Sequence, residues 1–254
     1  MRACGKRGRR RLPGPGSICR LDDDVLRAVQ GRGGQRRVLA AAFLSILLGS
    51  ACYGFAFGLW RSPIQGLYSA AKMPVLLLAT VGASAIINTM FAQVIGSGLS
   101  LRQVCAIMLL AMAVTSLILG SIAPPVVFLL LHVASPGTVC EGLPESAPGA
   151  FPFMMAYRML LLVHVAVIGA AGVAGALRLY RLLRRLTRTR RIAVWLQVLW
   201  IAVCGFVGCE LAWLLSPFLC KPTHAPHVIA REYWQQNFYE RVWQALRESV
   251  FAFR

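Results

Sequence analysis

Two ionisable residues, Arg158 and Glu210, lie inside long apolar runs and are the first candidates for chemistry. At ~1.5 Å of helical rise per residue, both lie about 10 Å from the same end of two consecutive antiparallel segments. A charge held in lipid is costly and usually has a partner. The sequence therefore predicts an Arg158–Glu210 ion pair, which either pins two helices together or takes part in gating or transport.

Three neutral polar residues are also placed inside apolar runs: His164, Asn88 and Gln93. A single histidine on an apolar helix favours a hydrogen-bonded packing role over a proton relay. Asparagine and glutamine inside membranes usually bind one helix to another. The alternative is a transporter or channel that uses Arg158, Glu210 and His164.

The segment after the last apolar run holds the best metal-ligand pattern in the chain. Cys220, His224 and His227 have a C-x3-H-x2-H spacing that suits zinc, but the pattern has no evident fourth ligand. Cys140 and Cys220 are predicted to lie on the same side of the membrane, where they are a candidate disulfide. The sequence has no nucleophile elbow, phosphate loop, paired CxxC or zincin helix. We therefore expect no catalytic residues and no cofactor.

The elements that position these residues are membrane helices. Of the 254 residues, 57% are hydrophobic and 14% are charged, and the mean hydropathy is +0.64. Several apolar runs reach the ~20 residues that a membrane-spanning helix needs. The composition predicts an all-α polytopic transmembrane bundle. Its spans are expected at about 38–60, 74–96, 103–123, 151–177 and 192–215.

The charge distribution predicts the orientation of these helices. The net charge is +18, and the densest arginine cluster runs from Arg178 to Arg191. Arginines flanking apolar runs indicate the cytoplasmic side and contact with anionic headgroups, not nucleic acid. Segment 103–133 is long for one span and short for two, but one crossing keeps both the leader and this cluster inside. We expect five spans in an inner membrane, with the N-terminus inside and the C-terminus outside.

Three segments lie outside the predicted spans: the leader, the connector and the tail. The leader, 1–37, is expected to be disordered and cytoplasmic, apart from a possible short helix over 21–29. The connector 61–72 is predicted to be an amphipathic helix lying on the membrane surface. The extracytoplasmic tail, 216–254, is predicted to contain an amphipathic interfacial helix from about Val228, or alternatively a docking face for a partner helix.

Three short motifs resemble a known group of proteins. They are the connector W-R-S-P-I-Q at 60–65, W-L-L-S-P-F at 213–218 and N-F-Y-E at 237–240. These motifs resemble an uncharacterised family of bacterial polytopic membrane proteins, and the likeness covers most of 38–246. Five spans with this orientation are more distantly similar to the Yip-domain membrane proteins. Neither resemblance implies catalytic residues, and the second is a likeness of topology alone.

Taken together, the sequence predicts an integral membrane protein with a structural or interaction role and no enzymatic activity. Gly172 and Ala176 form a small-xxx-small pair that permits close approach of a second helix. A homo-oligomer or another membrane protein is therefore the expected partner, in addition to the bilayer itself.

Overall fold

The computed structural model describes residues 23–31, 34–136, 140–142, 144, 147–225, 228 and 239–240. Every regular element in these residues is an α-helix, which confirms the predicted fold class. The helices are α1 (Asp23–Val29), α2 (Gln35–Leu59), α3 (Pro63–Val94), α4 (Leu101–Leu131), α5 (Phe151–Leu186) and α6 (Arg190–Leu214).

Among the described residues, the five helices α2 to α6 are long and apolar enough to cross a membrane. The most apolar 18-residue stretch of each helix has a mean hydropathy between 1.9 and 2.3. Such helices fit a multi-pass integral membrane protein, because a helix satisfies its own backbone hydrogen bonds in lipid.

Helices α3 and α4 are longer than the spans predicted for them. The connector 61–72 does not form a separate surface helix, because α3 runs unbroken from Pro63 and contains Pro74. Helix α4 likewise continues through Pro124 and Pro125, so the segment is not broken at Ala123. Neighbouring helices support a proline inside a membrane helix, so sequence alone overstates its power to break one.

Helix α2 lies at the centre of the bundle. It packs along both α3 and α4, while α5 packs against α4 and α6 packs against α3. Helices α5 and α6 are the most exposed. Only 22% and 17% of their most apolar 18-residue stretches are buried, against 56% for α4. The two outer helices therefore present most of their apolar surface outwards.

Glycines permit the close contacts of α2. A Cβ atom built on Gly54 would lie 2.5 Å from the backbone oxygen of Ser69 in α3, and one built on Gly120 of α4 would lie 2.9 Å from Gly49 Cα. No described helix of this chain approaches Gly172, because a Cβ there meets nothing within 4 Å, so its contact with a second copy or another membrane protein stays a prediction.

The two ends of the bundle differ in chemistry. The arginine end comprises 34–37, 96–102 and 178–191, and the loop end comprises 59–72, the described residues of 132–150, and 215–225. Helix α1 packs at the arginine end through Val25 and Val29, which are 2% and 1% exposed. Helix α1 lies within 21–29, where the sequence allows a short helix in the leader, while residues 1–22 lie outside the described part of the chain.

We predict that Gly54→Ala destabilises the protein by about 1–3 kcal/mol, because the new methyl group overpacks a helix contact. The expected result is a lower unfolding midpoint in detergent. Gly172→Ala is the matched control, since its methyl group enters open space. Equal midpoints for the two variants would contradict the close α2–α3 contact.

Candidate functional site

The most extensive polar cluster among the described residues lies at the loop end, where α3 binds the segment after α6. Lys72 Nζ donates to the carbonyl oxygen of Pro217 at 2.8 Å, and Ser69 Oγ donates to that of Phe218 at 2.5 Å. Gln65 Nε2 donates to both carbonyl oxygens, at 3.2 and 3.3 Å. We call these three side chains and two carbonyls the latch.

The helical repeat places the three latch side chains on one face of α3. Gln65, Ser69 and Lys72 follow an i, i+4, i+7 spacing, and all three are buried. The helix begins cleanly before them, because Pro63 occupies its first turn and Ser62 Oγ accepts a hydrogen bond from the Gln65 amide. The connector motif therefore builds both the start of α3 and its polar face.

The ammonium group of Lys72 is held in two ways. It donates to the Pro217 carbonyl, and it lies 5.7 Å from the centroid of the Phe218 ring. A cation over an aromatic face is attracted to the ring in addition to its hydrogen bond. The sequence W-L-L-S-P-F thus supplies both a carbonyl and a ring to the connector, so two of the three motifs used in the resemblance meet in space.

Arg61 joins the connector to the long loop and to the tail. Its Nη2 atom donates to Glu141 Oε1 at 2.6 Å and to the His224 carbonyl oxygen at 2.7 Å. The side chain of Arg61 is only 2% exposed, whereas that of Glu141 is 31% exposed. A buried arginine needs such partners, because an uncompensated buried charge is strongly destabilising.

Further hydrogen bonds close the same end. Trp60 Nε1 donates to the Ala134 carbonyl oxygen at 3.0 Å, and Ser135 Oγ donates to that of Trp60 at 2.8 Å. The amide of Gly142 donates to the Thr223 carbonyl oxygen at 3.0 Å. The long loop is therefore fixed to the connector and to the start of the tail.

The candidate disulfide is not formed. Cys140 and Cys220 are both fully buried at the loop end, and neither forms a disulfide. Cys220 Sγ lies 3.4 Å from the Ala225 carbonyl oxygen, and Cys140 Sγ lies 3.9 Å from that of Gly149. Burial raises the pKa of the Cys220 thiol, although Arg61 and Lys72 act in the opposite direction. Hydrogen bonds and the Arg61 ion pair fix the loop to the tail in place of a covalent bond.

The metal candidate of Cys220, His224 and His227 lies partly outside the described residues, because His227 is not among them. The described residues hold no group of three His, Cys, Asp or Glu side chains that could bind a metal ion. The part of His224 that the cluster uses is its carbonyl oxygen, which accepts from Arg61.

The structure does not bring Arg158 and Glu210 together as an ion pair, although both are described. The predicted pair requires the two consecutive helices to pack along their whole length. Helices α5 and α6 instead meet near their connecting turn, where Gln197 Nε2 donates to the Ala176 carbonyl oxygen at 3.0 Å. Towards the loop end α6 packs against α3, where Gly208 approaches Thr80. Arg158 is exposed on α5, and Glu210 is half-buried on α6.

His164 is a core residue between α5 and α2. Its ring is 1% exposed and lies 3.9 Å from the Phe57 ring centroid and 5.8 Å from that of Tyr53. Neither ring nitrogen has a hydrogen-bond partner, and nor does the buried Tyr53 hydroxyl. The predicted packing role agrees with this position, although the contacts are aromatic rather than hydrogen bonds.

Asn88 and Gln93 have different roles on α3. Asn88 is fully buried, and its Nδ2 atom lies 3.5 Å from Met108 Sδ in α4 and 3.7 Å from Cys204 Sγ in α6. The backbone carbonyl oxygen of Asn88 accepts a hydrogen bond from Trp200 Nε1 at 3.1 Å. Asn88 therefore joins three helices, as expected of a buried amide. The side chain of Gln93 is exposed and joins none.

The predicted interfacial helix of the tail lies outside the described residues, apart from Val228, Tyr239 and Glu240. The Tyr239 ring stacks on Phe206 with centroids 4.5 Å apart, and its hydroxyl donates to the Phe206 carbonyl oxygen at 2.7 Å. Phe206 lies ~12 Å along the axis from the end of α6. Tyr239 of the N-F-Y-E motif therefore lies alongside α6, and not beyond its end.

Sequence reasoning missed Arg61 and Lys72 as buried cations at the loop end. The signal for Lys72 was its helical spacing from Gln65 and Ser69. The interpretation of 61–72 as a surface helix placed these three side chains on a solvated face. Arg61 gave no comparable signal, because its partners come from two distant loops.

Comparison of the chain with protein-family models, curated proteins and solved structures gives no match. The case for a function is therefore made from the residues and contacts described above.

We predict that Lys72→Met exposes Cys220 to maleimide. The variant removes the strongest donor of the latch, and a lost buried hydrogen bond of about 1–3 kcal/mol raises the open population roughly 5- to 150-fold. The measurement is the labelling rate of Cys220 in detergent-purified protein, followed by peptide mass spectrometry.

Arg188→Met is the control for this experiment, because Arg188 is exposed at the opposite end of the bundle. Its labelling rate should equal that of the unaltered protein. A Lys72→Met rate equal to that of the control would show that the latch does not hold the tail.

Proposed function

We propose that this chain is a non-enzymatic integral protein of a bacterial inner membrane, with a structural or interaction role. The latch is the observation that carries the proposal. Lys72, Gln65 and Ser69 have a spacing and polarity that could serve a ligand, yet they bind backbone carbonyls of the same chain. Polar groups used in this way hold the start of the tail in one position, as a scaffold requires.

The contacts of the intramembrane candidates support this role over transport. His164 is enclosed by the rings of Tyr53 and Phe57, and Arg158 and Glu210 lie on helices that do not pack together at that level. A pathway for ions requires such groups to face a common channel. In the described part of the chain, these three side chains do not lie together.

The arginine end supports the orientation of the chain that we propose, with its N-terminus inside. Most arginines between Arg178 and Arg191 are exposed, while Arg178 itself is 2% exposed. The exposed ones are placed to contact anionic headgroups of the cytoplasmic leaflet. On this proposal the loop end and the tail face the periplasm. The outer apolar faces of α5 and α6 are then available to lipid, to a second copy of the chain or to another membrane protein.

The family resemblance fits this proposal. Its connector and W-x-L-x-P-F motifs are the parts of the chain that form the latch, and its third motif contains Tyr239, which lies against α6. We propose that the shared motifs are needed for closing the loop end and carry no catalytic residues.

We predict no proton or monovalent-cation flux through the purified protein in liposomes, because Arg158, Glu210 and His164 do not face a common channel. The measurement is the response of an entrapped pH-sensitive dye to an imposed gradient, compared with empty liposomes. A flux that His164→Phe or Glu210→Gln abolishes, and that Gln93→Leu preserves, would establish transport and overturn the proposal.

We also predict that an impermeant maleimide labels Gly149→Cys in intact spheroplasts and labels Arg188→Cys only after lysis. Both positions are exposed, one at each end of the bundle. Engineered sites are needed because native Cys140 and Cys220 are buried. The reverse labelling pattern would place the arginine end outside.

A further inference from the structure

A groove opens at the arginine end between α2, α3 and α4. Its volume is about 280 Å³. Its mouth is formed by Gln35, Arg36 and Arg102, and its deeper wall is formed by apolar side chains that include Leu39, Val81 and Leu109. The groove is therefore cationic at one end and apolar along the rest, as an amphiphile with an anionic head would require.

The polar groups at the mouth all offer hydrogen-bond donors. Arg102 Nη2 donates to Gln35 Oε1, which occupies the acceptor of that amide. Gln35 is 7% exposed, and its Nε2 atom has no hydrogen-bond partner. Arg36 adds a second guanidinium group beside it. A buried donor without a partner is rare, and an acceptor bound in the groove would satisfy it.

Helix α4 begins at this mouth. Arg102 lies in its first turn, after the capping box formed by Ser100 and Gln103. The N-terminus of a helix carries partial positive charge and favours an anion nearby. Its field has the same sign as the two guanidinium groups, so all the charge at the mouth favours one kind of ligand.

The depth of the groove matches a lipid chain better than a free anion. From Arg102 to Leu109 the wall of α4 rises by ~10 Å. Val81 and Leu39 line the same space from the other two helices. Inorganic phosphate would fill only the mouth and leave this apolar surface uncovered. An acyl chain would cover it while its headgroup phosphate remained between Arg36 and Arg102.

We propose that this groove binds one anionic phospholipid, with its phosphate on Arg36, Arg102 and the Gln35 amide and one acyl chain along α4. The site is distinct from the arginines of the α5–α6 turn and is independent of the function and the orientation proposed above. It requires only that the bilayer reaches the arginine end of the bundle.

The test is native mass spectrometry of the detergent-purified chain with phosphatidylglycerol, with phosphatidylcholine, or with glycerol 3-phosphate as a headgroup without chains. One phosphatidylglycerol should remain bound, and the other two compounds should not. Arg36→Gln with Arg102→Gln should weaken binding about 30-fold, on the basis of two arginine contacts at a membrane surface. Arg184→Gln with Arg185→Gln, which removes equal charge from the same end outside the groove, should leave the lipid bound.

Each other outcome overturns the proposal. Equal loss in the two double variants would mean a general attraction to basic charge, and equal retention of phosphatidylcholine would mean an unspecific lipid shell. Retention of glycerol 3-phosphate would reduce the groove to an anion site. If the Arg36/Arg102 variant fails to fold, Cys105→Phe, which narrows the half-buried wall, provides the second test. Undiminished phosphatidylglycerol binding in that variant would equally count against the proposal.

Discussion

The close approach of α2 to two neighbours is the constraint on which the rest of the structure depends. Lipid provides little hydrophobic drive between helices, so packing at short range has to hold them together. Gly54 faces Ser69 of α3, and Gly49 faces Gly120 of α4, without side chains between the backbones. These contacts set α2 as the central helix. They also leave α5 and α6 as outer helices, each packed mainly on one neighbour.

The polar side chains follow from this arrangement. At the loop end, the α2–α3 hairpin holds Arg61 and the latch face in positions that the long loop and the tail can reach. In the middle, His164 enters a space lined by Tyr53 and Phe57 of the central helix. At the arginine end, α2 and α4 line the groove with Gln35 and Arg102. The same helix therefore contributes to all three polar regions.

The sequence was sufficient for the helices but not for their contacts. Length and apolar composition predict five spans, and the structure has five such helices. Helix α4 is unbroken over most of 103–133, whereas the surface connector and the Arg158–Glu210 pair are not found. The connector error comes from treating Pro74 as a helix end, whereas the ion-pair error comes from packing. Sequence gives depth along a helix, but it does not say which neighbour a helix packs against, and α6 packs against α3 rather than along α5.

The separation in sequence between Lys72 and its carbonyl partner has a consequence for biogenesis. Pro217 lies 145 residues after Lys72, beyond the last helix. Chains are synthesised from the N-terminus, and their earlier parts fold first. Helices α2, α3 and α4 can therefore pack while the latch still lacks its acceptors, and the ammonium group must remain hydrated near the membrane surface until α6 has entered the bilayer. Closure of the loop end thus follows the insertion of α6, and it cannot occur in a chain that stops before Phe218.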